Sequence, residues 1–172
     1  MKPMGPRLRR LMLTTHITLS VSWIGAVAAY LVLDVTTATS QDPQTLRAAY
    51  IAMASITWWA IVPLAYASLA TGIIMSLGTK WGLFRHWWVV LSLLLTVFAV
   101  LVLMSETRTI DFLASAAADP TTTDDELRAL PSTLLHSVLG TVVLLVVTVL
   151  NVYKPRGLTK YGWRKHQERH QA

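Results

Sequence analysis

His16, Ser20, Trp23, Tyr30 and Asp34 recur at three-, four- or seven-residue steps within one stretch of the chain, with Val27 in register between them. In a helix that spacing puts the imidazole, hydroxyls, indole and carboxylate on one face. Residues 11–33 are otherwise almost wholly apolar. An ionisable ring set among such neighbours is expensive to bury and by default marks a functional position. Two further histidines, His86 and His136, lie beside other apolar runs. Imidazoles in such places suit axial ligation of haem iron or another metal, and the chain has no cysteine, which excludes thiolate ligands, iron-sulfur clusters and disulfides. No HExxH, Walker loop, dinucleotide glycine motif or GxSxG elbow occurs, so hydrolases and nucleotide enzymes find no support.

The elements that must position these residues are membrane spans. About 23 residues in the first run reach roughly 34 Å, enough to cross a hydrocarbon core of about 30 Å. Apolar runs at about 11–34, 46–77, 85–105 and 133–153 predict an all-α integral membrane four-helix bundle, one domain over 1–172 with a basic tail at 154–172. The chain is 53% hydrophobic and only 14% charged, unlike a soluble domain. The net charge of +6 does not point to nucleic acid, because the charges are sorted by loop. Twelve of fifteen Lys and Arg fall before the first run, in the middle loop or in the tail, and eight of nine Asp and Glu fall in the other two loops. That sorting predicts both termini on the cytoplasmic side. A cleaved signal peptide ending near Ala38 or Ser40 is rejected, since the apolar run is too long for one.

Depth then groups the histidines. His16 and His86 fall near the same face and could hold one group between them, whereas His136 belongs to the opposite leaflet, where Met53 and Met104 are possible partners. Asp34 and Glu106 stand at span boundaries, so no Asp, Glu, Lys or Arg is expected inside the hydrocarbon, which argues against an ion-coupled pump. Ser68, Gly72 and Ser76 form a small-residue row for close helix packing. Pro63 predicts a bend, and Trp81, Trp87 and Trp88 an interfacial belt. Trp58 and Trp59 either pack or wall an internal pocket, and His136 with Gly140 leaves a gap in the fourth helix. In the acidic loop at 106–132, Thr123 and Glu126 form a capping box for a short helix at 123–130. His166 and His170 make an i, i+4 pair if the tail is helical.

With WIGAVAA after the first histidine, SLGTKWGLFRHWW around the second and VYKPRGLTKYGWRK after the last run, the chain resembles a family of small bacterial four-helix integral membrane proteins over nearly its whole length. The likeness bears on architecture, and places the chain in the bacterial cytoplasmic membrane. More distantly, a membrane histidine followed by Trp23-Ile24-Gly25 resembles first helices of copper-resistance D-type proteins and of haem-carrying four-helix protoporphyrinogen oxidases. That likeness implies His16 as a haem b or metal ligand. The Pro-Arg motif of the oxidases is absent here, which counts against their activity.

The leading expectation is therefore a small haem b protein of electron transfer or redox sensing. His16 is the first ligand and His86 the second, with Trp23 and His136 as further cofactor-binding candidates and a membrane redox partner or second copy as company. The alternative is a cofactor-free accessory subunit that docks a partner through its small-residue faces. A third reading is binding or passage of a small neutral or metal substrate between the helices.

Overall fold

The computed structural model describes residues 4–79 and 81–171, without the side chains of 166 and 169–171. The side-chain pairing expected of His166 and His170 thus falls outside what is described.

Pro6 opens α1 (Pro6–Thr39), where its missing N–H costs nothing and its fixed φ suits the first turn. Asp42 caps α2 (Pro43–Ile56) by accepting from the Thr45 N–H. A π-helical turn, Thr57–Ile61, joins α2 to α3 (Val62–Gly78), with the Val62 N–H bonded to the carbonyl of Thr57, five residues back. The wide turn sits directly before Pro63, whose absent N–H would interrupt the regular ladder. After α4 (Trp87–Ala118) come the short α5 (Asp124–Arg128), α6 (Leu134–Tyr153), and α7 (Lys160–Gln171). The capping box of Thr123 and Glu126 forms as the sequence predicts. Lys154 ends α6 in the left-handed conformation at φ 45°.

The α2–α3 segment, α1, α4 and α6 are each long and apolar enough to cross a membrane. They close a ring in which α1 packs on α2, α3 and α6, and α4 packs on α2, α3 and α6. Little of each helix is buried inside that ring, and Val21, Val32, Leu94, Leu101, Leu135 and Val152 are all exposed. A bare apolar exterior of this extent is that of a multi-pass membrane protein, whose backbone groups are satisfied within each helix.

Contacts define two ends. At one, the Met4 N–H bonds to the Gly78 carbonyl, and Thr159 donates to the carbonyls of Phe84 and Arg85, gathering the start of α1, the α3–α4 turn and the tail. At the other, the Arg47 guanidinium binds the carbonyls of Ala117, Asp119 and Thr122, and Arg128 reaches Gln41. Leu127, fully buried, plugs α5 onto the core there. Hydrogen bonds from Thr45, Thr121 and Thr123 hold the carboxyls of Asp42, Asp119 and Glu126 below the usual carboxylate range.

Two boundaries depart from the sequence reading. α1 runs five residues past Asp34, and α4 runs thirteen past Ser105. Charges begin there, which is why the sequence reading stopped. Ile110, Leu113 and Ala117 nevertheless continue a buried stripe at helical spacing, so the helix continues.

Candidate functional site

Each extension carries a carboxylate into the interior. Asp34 has no solvent exposure. Its Oδ1 accepts from the Thr133 hydroxyl at 3.0 Å and its Oδ2 from the Ser137 hydroxyl at 2.6 Å. The Tyr30 hydroxyl lies 3.1 Å from Thr133 Oγ1. Since Thr133 spends its proton on Asp34, Tyr30 is the donor, and the chain runs from phenol to hydroxyl to carboxylate. A buried carboxyl is costly unless its lone pairs are satisfied, and here hydroxyls from the start of α6 satisfy them. Asp34 is therefore an interior residue of the bundle and not a boundary marker.

Beside this cluster is a cavity of about 390 Å³ between α1, the π turn, α4 and α6. Trp23, Val27 and Tyr30 form its α1 wall. Thr57 and Ile61, the two ends of the π turn, face it from the second span. α4 contributes Phe98, Glu106 and Ile110, and α6 contributes Thr133, His136, Ser137 and Gly140. Phe98 and Leu139 line it yet remain more than half exposed, so the cavity opens sideways through the apolar exterior. Gly140 leaves the gap that its sequence position suggests, for a Cβ there would meet nothing within 4 Å.

Two features of the walls are chemically active. Glu106 Oε1 lies 3.5 Å from His136 Nε2, linking α4 to α6 across the cavity. The Trp23 indole N–H is buried without a partner, the one such side-chain atom among the described residues. A buried donor left unpaired forfeits roughly 1–3 kcal/mol, a cost that a ligand bearing an acceptor removes.

The remaining candidates lie elsewhere. His16 sits at the α1–α3 contact, its Nδ1 2.9 Å from Thr71 Oγ1. Its ring lies over Gly72, where a Cβ would come within 3.2 Å of Cε1, and Ser20 meets Ser68 at 2.8 Å. The small-residue row thus does let the helices close. His86 precedes α4, with Nδ1 2.7 Å from the Trp81 carbonyl oxygen and its ring edge-on to Trp81 at 5.2 Å. His16 and His86 share no hydrogen bond or ring contact. Of the four cofactor candidates, the structure brings Trp23 and His136 together and keeps His16 and His86 on separate partners.

Met53 is buried in the core, Met104 Sδ takes the Tyr66 hydroxyl at 3.0 Å, and neither lines the cavity. Nor do Trp58 and Trp59, so the pocket reading for that pair is corrected: Trp58 donates to Asp111 at 2.7 Å, and Trp59 is 87% exposed. No cluster of three His, Asp or Glu side chains suited to a metal ion occurs among the described residues.

Sequence reasoning missed Glu106, Phe98, Thr133 and Ser137 as site residues. The signal for Glu106 was present, since Leu103, Glu106, Ile110, Leu113 and Ala117 fall at steps of three and four. Phe98 shares that face, since Phe98, Val102, Glu106 and Ile110 fall at steps of four, whereas Thr133 and Ser137 join the site only because α6 packs against α1 and α4. No protein-family model matches the chain, and neither does a curated protein or a solved structure.

Proposed function

We propose that this chain is a multi-pass membrane protein that binds a lipophilic small molecule between α1, α4 and α6. The observation that carries the proposal is the largely apolar cavity that opens through the exterior, and it is supported by one of its lining residues, Trp23, whose buried N–H has no partner. Apolar walls with a few placed polar groups are the usual make-up of a small-molecule site. The ligand enters from the hydrocarbon, gives an acceptor atom to Trp23, and lies within reach of the Glu106–His136 pair. Basic residues at the end that gathers the start of α1, the α3–α4 turn and the tail support a cytoplasmic position for that end by the positive-inside rule, and the family resemblance supports a bacterial cytoplasmic membrane. Native mass spectrometry of protein extracted in mild detergent tests the reading. A stoichiometric small lipophile is expected in the wild type and lost in Gly140→Leu, which fills the cavity. Its absence from the wild type, or its retention by the variant, overturns the proposal.

A second reading keeps haem b for electron transfer, and one observation favours it. Thr71 Oγ1 already donates to the carbonyls of Ala67 and Ser68, and the partner of His86 is a carbonyl, so each imidazole donates from Nδ1 and leaves Nε2 as the lone-pair nitrogen. Metal-ligating histidines are commonly oriented in this way. The packing of the His16 ring over Gly72 does not fit an axial ligand, because a porphyrin needs that space. A Soret band in purified protein, lost in His16→Ala or His86→Ala, would restore this reading, and colourless protein after expression with added haem ends it.

A further inference from the structure

Resting on the lipophile reading, we infer that the cavity selects cations: its ligand is a hydrophobic molecule that carries, besides the acceptor atom for Trp23, one positively charged head, a quaternary ammonium or a protonated amine. Three aromatic rings, Trp23, Tyr30 and Phe98, line the one cavity, and a carboxylate, Glu106, lines it with them. Aromatic faces carry negative charge density, and several around one space form the usual receptor for an ammonium head. Glu106 supplies the opposite charge, with its side chain only 21% exposed, so its field is poorly screened.

Nothing in the walls offsets this bias with a permanent positive charge. No lysine or arginine lines the cavity, and Asp34 adds a second carboxyl just behind Thr133 and Ser137. The one basic group present is His136, half exposed beside Glu106, and an entering cation takes its place as the partner of that carboxylate. An anion would meet Glu106 and Asp34 with no lysine or arginine to offset them.

A pair of isosteric probes separates charge from shape. Phenyltrimethylammonium and tert-butylbenzene have the same outline and differ by one positive charge. Their binding to the purified full-length protein in nanodiscs is measured by calorimetry, for the wild type, Glu106→Gln and Phe98→Leu. Both probes are expected to bind the wild type. Glu106→Gln is expected to weaken the ammonium about tenfold or more, as loss of a poorly solvated charge partner does, and leave the hydrocarbon within about twofold. Phe98→Leu is expected to weaken the ammonium by about threefold and spare the hydrocarbon, because it removes a π face and keeps apolar bulk. Equal responses of the two probes to Glu106→Gln overturn the cation selectivity and leave the lipophile reading standing. Failure of the ammonium to bind the wild type overturns the cation selectivity, while the lipophile reading, whose ligand brings an acceptor atom that neither probe carries, is decided by the mass-spectrometric test. Retained hydrocarbon binding in the variants shows that they are folded.

Discussion

The Asp34 carboxylate accepts the Ser137 hydroxyl at 2.6 Å across 103 residues of chain, tying the C-terminal part of α1 to the first turn of α6. Both groups are buried, and Thr133 completes the carboxylate from the same turn. A fully satisfied polar knot of this kind fixes the register of two otherwise apolar helices, which dispersion alone would leave free to slide.

Removing its centre is therefore expensive. Asp34→Ala strands two buried hydroxyls and is expected to cost about 2–4 kcal/mol. Asp34→Asn, which can still accept from one of them, should cost less. Thermal unfolding in detergent checks the order, and equal stability of wild type and Asp34→Ala would contradict the buried contact.

Trp23→Phe should act with opposite signs on stability and binding. It keeps an aromatic ring in the core and removes the one orphaned donor, so the ligand-free protein is expected to be unchanged or up to about 1 kcal/mol more stable. Affinity for a lipophile that gives its acceptor to the indole should fall about tenfold. The two effects are read from unfolding with and without ligand, and a parallel loss of both would mean that Trp23 serves packing alone.

Gly72→Ala probes the α1–α3 contact. The added methyl would stand 3.2 Å from the His16 ring, so one helix must give way by a few tenths of an ångström. A cost of about 1–2 kcal/mol is expected, falling towards zero in a His16→Ala background, because overpacking needs both partners. A double-mutant cycle measures the coupling, and additive effects would place the ring elsewhere.

The capped end should loosen in acid. Hydrogen bonds from Thr45, Thr121 and Thr123 lower the carboxyls of Asp42, Asp119 and Glu126, so the folded state binds fewer protons than the unfolded chain across the interval between the two pKa values. Their contribution is whole above the ordinary carboxylate range and disappears as pH falls through the lowered values. Titration of the Thr45, Thr121 and Thr123 amide resonances should show midpoints below those of matching peptides. Midpoints at peptide values would mean that these caps are not formed.

Much of the architecture was legible in the amino-acid order. Four apolar runs of spanning length, the Thr123–Glu126 capping box and the row Ser68, Gly72, Ser76 each follow from local rules that need no partner: the period of the helix, the orphan N–H groups of its first turn, and the space a missing side chain leaves. The helix ends past Asp34 and Ser105 were misread because polarity was taken as a stop, whereas a helix buried against a cap can continue through charges.

What the order of residues could not supply is which polar groups meet. His16, His86 and His136 look alike in sequence, each a ring beside an apolar run, and only helix rotation and neighbour choice send the first to Thr71, the second to Trp81 and the third to Glu106. Asp34 and Ser137, or Trp23 and Glu106, become one site because α6 packs between α1 and α4. Hydrophobicity tells each helix to enter the membrane, but it is nearly the same on every face; the match of small, polar and bulky side chains between helices decides which faces turn inward, and that match exists only once all four are together.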